Sequence, residues 1–411
     1  MKTSLRWFSH VFGLVILCGA LLVSVSPASG ADMVKLGALL PMTGDLQAYG
    51  ESSLTGIQLA EKEINDAGGV LGQTLKIVVG DTQTKPQPGI DAAQKLVSIQ
   101  NVSGIVGALS SGVTIPVAQS VTKSAGVPQI SPASTSPVIT GLADEDFLFR
   151  SVPSDAFQGV ALAQVVSEKG YANVAVLYVN NDYGEGLAES FEQAFAQKGG
   201  QVSAALPYEP GNASYRGELS KASSEGAEAL LLIGYPENGV TILRQSLEEG
   251  YFQEFVYTDG LKAPEIIEAI GATYLNGSFG TAPQAMTDSD AAKNYLAAYK
   301  AMFGEVPPKP FIDTSYDAAY VLALAVQKAG TTDSRAVRDA LRDVANAPGV
   351  KVLPGEWAKA VDLLADGQDI DYVGASGSID FDQAGDVSGT FAHWMIKDGE
   401  ITTVKVFEPQ M

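Results

Sequence analysis

Two serines and a glycine, Ser110-Ser111-Gly112, follow a short apolar run that includes Ile105, Val106, Ala108 and Leu109. Residues at helical spacing, Ala118, Val121 and Ala125, come directly after them. A strand that leaves through such a turn into a helix points hydroxyls and unpaired amides the same way, which makes a site for an anion and suits a carboxylate. In open α/β sheets ligands bind beyond the carboxyl ends of the strands, so polar residues at other strand exits matter. Thr135 follows the apolar VPQISP (127–132), and Asp259 lies at the end of EFVYTDG (254–260). Tyr49, Tyr183 and Tyr235 follow or close VKLGALL (34–40), NVAVLYV (173–179) and ALLLIGY (229–235). Each has an ordinary alternative, a helix cap for the serines and a turn for Asp259 before Gly260. Their shared placement at strand ends is what points to a ligand.

The elements needed to hold these groups are legible in the periodicity. After VKLGALL, residues Ile57, Ala60, Ile64 and Ala67 trace one face of a helix that stops at Gly68-Gly69. The strand Leu75–Gly80 and a helix with Ile90, Ala93, Leu96 and Val97 lead to the serine turn. The plan restarts at residue 173. A strand, Tyr183-Gly184, a helix with Leu187, Phe191 and Phe195, and a Gly199-Gly200 stop repeat the order of strand, Tyr49-Gly50, helix and Gly68-Gly69. Strands alternating with helices predict parallel sheets covered on both faces, here in two similar α/β lobes. Downstream, NGSFGTAP (276–283) reads as a Gly-rich connection. Asp290–Phe303, Thr314–Ala329 and Ser334–Val344 read as helices, and SIDFD (378–382), FAHWMI (391–396) and GEITTVKVF (399–407) as strands.

Composition narrows the chemistry. The chain has 411 residues, 46% hydrophobic and 18% charged, enough for two domains. Lys2 and Arg6, the apolar run Val11–Val25 and the small residues Ala28–Ala31 predict an export signal over residues 1–31, with the run too short and interrupted to serve as an anchor. Cleavage is expected between Gly30 and Asp32. Cys18, the single cysteine, lies inside that segment, and Leu17 before it is a poor fit to a lipoprotein signal. An exported chain without disulfides fits a bacterial periplasm. Loss of Lys2 and Arg6 takes the net charge from −21 to −23, which argues against nucleic acid or anionic membrane as a partner. His393 is the one histidine of the mature chain, a handicap for most hydrolytic and metal-dependent mechanisms. No cofactor is expected.

Taken together, VKLGALLPMTGDLQAYG, AEKEINDAGGVLGQTLKIVVGDTQTKP, the Ser-Ser turn, ISPASTSP, NDYGEG, GYPENG and FDQAGD resemble the branched-chain-amino-acid-binding type of periplasmic solute-binding protein, the receptor of an ABC importer. The resemblance covers essentially the whole mature chain. It implies the type I binding-protein fold, two doubly wound parallel-sheet lobes joined by three crossovers around a ligand cleft. The crossovers would lie near 149–153, 276–283 and 386–391, giving an N-terminal lobe of 32–150 plus 281–387 and a C-terminal lobe of 151–280 plus 388–411. It implies Ser111 and Thr135 as the hydroxyls that hold a ligand carboxylate, helped by backbone near Ala133, and Asp259 as partner of the ligand ammonium. Tyr183 and Tyr235 match aromatic positions of the second lobe, and Tyr49, Leu109 and Ser110 match positions lining the side-chain pocket. Asp259 stands where the family often has Glu, one methylene longer. The expected ligand is an aliphatic, branched-chain or related amino acid, and the expected partner of a monomeric receptor is an inner-membrane permease. A small carboxylate such as an aromatic acid in the same fold is the alternative.

Other motifs carry less. Gly184-Glu185-Gly186 lacks the third glycine of a dinucleotide fingerprint. Asp380, Asp382 and Asp386 resemble part of a calcium loop, but Ala384 occupies a ligand position. An α/β-hydrolase reading would use the serine turn, Asp259 and His393, yet Ala108 replaces the first elbow glycine and His393 falls inside an apolar strand. A sensor built on the same fold is disfavoured because the chain ends at Met411 without a signalling segment.

Overall fold

The computed structural model describes residues 33–410; the expected export signal and Cys18 lie outside them. Five strands, β1 (Val34–Leu40), β2 (Leu75–Asp81), β3 (Ile105–Gly107), β4 (Gln129–Ser131) and β5 (Leu148–Arg150), form a parallel sheet in the order β2-β1-β3-β4-β5. A second sheet repeats that winding with β6 (Asn173–Val179), β7 (Gln201–Tyr208), β8 (Ala229–Ile233), β9 (Phe255–Tyr257) and β10 (Phe279–Pro283), in the order β7-β6-β8-β9-β10. The last two strands of the chain, Phe391–Lys397 and Glu400–Phe407, extend the second sheet antiparallel beyond β10. The repeated Tyr-Gly, Gly-Gly pattern thus marks two copies of one doubly wound unit, each with its strand ends aimed at a switch point.

Burial explains the strand sequences. ALLLI of β8 is buried along its whole length, as a central parallel strand covered on both faces must be. QVSAALPY of β7 alternates toward solvent at the sheet edge. In the first lobe the helix Gln47–Asp66 presses Tyr49, Ser53, Ile57, Ala60 and Ile64 inward against Ile312–Ala329, a helix buried from Ile312 through Tyr320 to Val326 apart from Asp313.

The structure departs from the sequence expectations in two places. NGSFGTAP is no loose connection: Phe279–Pro283 pairs with both β9 and the strand Phe391–Lys397. The boundary expected at 280/281 therefore falls inside a strand, and the second connection between lobes starts after Pro283. SIDFD supplies only Ser378, in the short strand Gly377–Ser378, to a small separate ribbon with Val350–Val352 and Ile370–Gly374. Its Asp382 instead organises a turn by accepting the amides of Ala384 and Asp386. Asp386, once a candidate calcium ligand, is spent on the fully buried Arg150, which donates Nε and Nη2 to its two oxygens at 2.6 and 2.7 Å. Among the described residues no helix is long and apolar enough to cross a membrane.

Candidate functional site

Eight of the nine expected site residues line one small cavity, of about 20 Å³, between the sheets: Tyr49, Leu109, Ser110, Ser111, Ala133, Tyr183, Tyr235 and Asp259. The first lobe supplies its floor from the exits of β3 and β4. Ser110 is the residue before the helix Ser111–Val117, yet its hydroxyl makes no capping bond. It meets Tyr235 Oη of the other lobe at 3.1 Å instead, so the helix-cap explanation of this serine fails. Ser111 Oγ accepts the Ser136 amide at 3.2 Å. The two exits are tied together below the cavity, where Ser131 Oγ donates to the Ala108 carbonyl at 2.6 Å and Ser134 Oγ to that of Leu109 at 3.1 Å. This bracing holds the serine turn and Ala133 in register with one another.

The second lobe supplies the acidic and aromatic side. Asn181 caps the helix Asp182–Gln197 by accepting the amides of Tyr183 and Gly184, and its Nδ2 donates to Tyr235 Oη at 3.0 Å. Tyr183 and Tyr235 stack with centroids 5.8 Å apart. Asp259, only 2% exposed, opens the turn after β9. Its Oδ1 accepts from Gln158 Nε2 at 2.7 Å and from Tyr183 Oη at 2.9 Å. Burial drives its carboxyl up to about 6, with those two donors acting the other way. Tyr49 reaches across and donates to the Asp259 carbonyl at 3.4 Å.

Thr135 is not on the cavity wall. It lies behind, fully buried, and its hydroxyl stands beside the Asp155 carboxylate without meeting hydrogen-bond geometry. Asp155 is the residue that sequence reading missed. It is fully buried at the start of the helix Asp155–Glu168, and neither of its carboxylate oxygens has a partner among the described residues. Burial first, and then the Asp259 charge, push its carboxyl well above the usual carboxylate range. Gln158, one turn further on, was missed with it. The one local signal, Ser154-Asp155, reads as a helix cap, and Ser154 does accept the Ala156 amide. Phe311, Leu46 and Gly260 complete the cavity wall, Phe311 from a left-handed conformation at φ +75° that sets it edge-on to Tyr49.

Two small residues let the lobes meet. A Cβ on Gly112 would stand 3.3 Å from Asn181 Cβ, and one on Gly186 only 2.7 Å from Pro137 Cδ. His393 is remote from this chemistry. It sits in the strand Phe391–Lys397 against the edge of Phe279, 6% exposed, with burial pushing its imidazole down to about 4. A serine hydrolase constellation is therefore not assembled here.

The arrangement offers a hydroxyl face on one lobe, two buried carboxylates on and behind the other, and apolar walls between them. Known proteins share it at the level of the chain. The sequence profile of periplasmic binding proteins matches residues 33–367. The Leu/Ile/Val-binding protein homolog 3 of Brucella melitensis is 31% identical over 326 residues, 78% of this chain and 86% of that one. The leucine-, isoleucine-, valine-, threonine- and alanine-binding protein of Pseudomonas aeruginosa is 30% identical over 83% of this chain and 90% of its own. The crystal structure of a leucine binding protein, LivK, from Thermotoga maritima superposes with a TM-score of 0.78 at 28% identity, covering 92% of this chain and 99% of that one. With a profile match over most of its length and relatives of this similarity, the chain belongs to the periplasmic binding protein family.

Proposed function

We propose that the protein is the solute-binding receptor of an ABC importer and captures an aliphatic, branched-chain or related amino acid by closing its two lobes on it. The observation that carries the reading is the pairing, across one cavity, of the Ser110-Ser111 turn with the buried carboxylate of Asp259. A zwitterion docks its carboxylate on Ser111 and the neighbouring amides of the first lobe, with Ala133 alongside. Its ammonium goes to Asp259, held in place by Gln158 and Tyr183. Burying both ligand charges is tolerable because each receives charge-assisted hydrogen bonds. Leu109, Tyr49 and Tyr235, joined by Leu46 and Phe311, give the side chain an apolar enclosure. Closure brings Tyr183, Tyr235 and Asp259 onto the docked ligand as the crossovers flex, and the closed form is the one a membrane permease reads. No step requires a cofactor, and the receptor acts as an exported monomer in the periplasm. The amino-acid-binding relatives named above support the ligand class.

The test is a thermal-shift screen of ligand-stripped protein against the twenty amino acids and their deaminated acids, since a true ligand stabilises by mass action. Shifts from leucine, isoleucine or valine, and none from 4-methylpentanoate, are expected. Shifts from amine-free acids alone would overturn the role of Asp259 and favour a carboxylate receptor of the same fold.

A further inference from the structure

A second cavity lies between the lobes, separate from the first; Val306, Pro307, Pro308 and Ile312 give it an apolar wall, and Lys309, which also lines it, is already committed to Glu265 and the Ala48 carbonyl. Its polar equipment is unusual for a gap between packed surfaces. Lys262 enters from the second lobe, 6% exposed. Its ammonium donates to Gln284 Oε1 at 3.1 Å and forms no ion pair among the described residues. Asp313 enters from the first lobe at the start of the helix Ile312–Ala329, and its Oδ1 accepts only the Thr314 amide. Tyr295 adds a hydroxyl that is buried and has no partner among the described residues. The lysine and the aspartate feel each other's charge but stand too far apart to pair. Burial lowers Lys262 to about 8, so it stays largely charged at neutral pH.

A buried ammonium with one neutral hydrogen bond is costly unless something else completes its shell. An anion alone would meet Asp313, and a cation alone would meet Lys262. We propose that this chamber is a second binding site, for a small zwitterion such as a free amino acid, whose carboxylate bridges Lys262 and Tyr295 Oη while its ammonium faces Asp313. The two cavities share their dividing wall. Asp259 and Gly260 line the first while Lys262 lines the second, and Phe311 lines the first while Ile312 and Asp313 line the second. Occupancy of the chamber bridges both lobes and so favours the closed form at the primary cleft.

Equilibrium dialysis of the ligand-stripped full chain with radiolabelled leucine, carried to millimolar concentration, tests this. Two equivalents are expected at saturation, the second weaker. Asp259→Ala should lose the first and keep the second. Lys262→Met should keep the first and weaken the second by on the order of tenfold to a hundredfold. Tyr295→Phe, which removes one hydroxyl and leaves the fold undisturbed, should weaken the second less. Saturation of the wild type at one equivalent overturns the second site and leaves the primary reading standing. A second equivalent untouched by both Lys262→Met and Tyr295→Phe overturns it as well. Binding of 4-methylpentanoate or 3-methylbutylamine in the chamber as tightly as leucine overturns the zwitterion assignment. Retention of both equivalents in Asp259→Ala would instead count against the primary site.

Discussion

Replacing Asp259 by Asn removes a charge while keeping shape and one acceptor, which separates binding from folding. In Asp259→Asn the amide oxygen would still accept from Gln158 Nε2 and Tyr183 Oη, which stand 2.7 and 2.9 Å from the native oxygen. In the proposed binding mode the ligand ammonium, however, loses its buried charged partner. Such truncations cost about 2–5 kcal/mol, so the affinity for leucine should fall between about thirtyfold and several thousandfold. The empty protein should respond the other way. The native carboxyl titrates at about 6 against an ordinary 3.8, so the folded state holds more protons than the unfolded state between those values. Stability conferred by this group is then fully present below about pH 3.8 and is lost as pH rises through about 6. The loss is on the order of 3 kcal/mol by pH 8. An amide cannot lose it, and removal of the charge also relieves Asp155. Calorimetric titration with leucine, and denaturant unfolding of the stripped protein at pH 5 and pH 8, read the two effects. Expected are weak binding together with equal or greater stability at pH 8 and a flatter pH dependence. Affinity within threefold of wild type would refute the ammonium role. A fall in empty-state stability matching the loss of affinity would show Asp259 to be a structural residue.

Gly186→Leu should hold the lobes apart, because even its Cβ would meet Pro137 Cδ at 2.7 Å. Leucine affinity should drop at least about tenfold, and the leucine-saturated variant should keep the radius of gyration of the empty protein in small-angle scattering. Gln158→Leu removes the donor 2.7 Å from Asp259 and should weaken leucine binding about tenfold. The low-pH limb of its binding profile should move upward, since the lost donor was lowering the carboxyl. Arg150→Met leaves Asp386 without the guanidinium that pairs both its oxygens. Unfolding in urea should show a loss of about 3–5 kcal/mol.

Ser110 shows what sequence could and could not decide. Its type and place, between an apolar strand and a helix, announced a turn with an open hydroxyl, and the same pattern announces a cap. The difference lies in a partner 125 residues away, Tyr235 Oη, and local propensity carries no record of it. Asp155 was harder still. It follows Ser154 at a helix start, where acidic residues are common for reasons of capping and dipole. Its significance comes from Asp259 and Thr135, brought beside it from two different strand exits. The alternation of strands and helices in two similar halves, by contrast, was visible, since it is written in continuous apolar runs and repeated Gly-Gly stops. β10 was lost because Gly280 within it and Gly277 just before it argue against a strand on propensity. Gly280 is needed for close packing there, as a Cβ would stand 2.3 Å from the Tyr257 carbonyl.

The contacts that join the lobes are few, and their size suits a receptor. Ser110 to Tyr235 and Tyr49 to the Asp259 carbonyl are neutral hydrogen bonds, each worth about 0.5–1.5 kcal/mol net. Lys309 pairs with Glu265 across the divide, the one ion pair spanning the two lobes among the described residues, and its glutamate is partly exposed. Against them stands the crowding of Asp155 and Asp259, two carboxyls whose burial is unfavourable while both are charged. In the proposed binding mode, an ammonium that relieves this crowding and a carboxylate that engages the serine turn would add differential free energy to the closed form alone, the condition under which a ligand moves such an equilibrium. A ligand lacking the ammonium would engage the serine turn yet leave the crowding in place, so it should close the lobes less completely than leucine at equal occupancy.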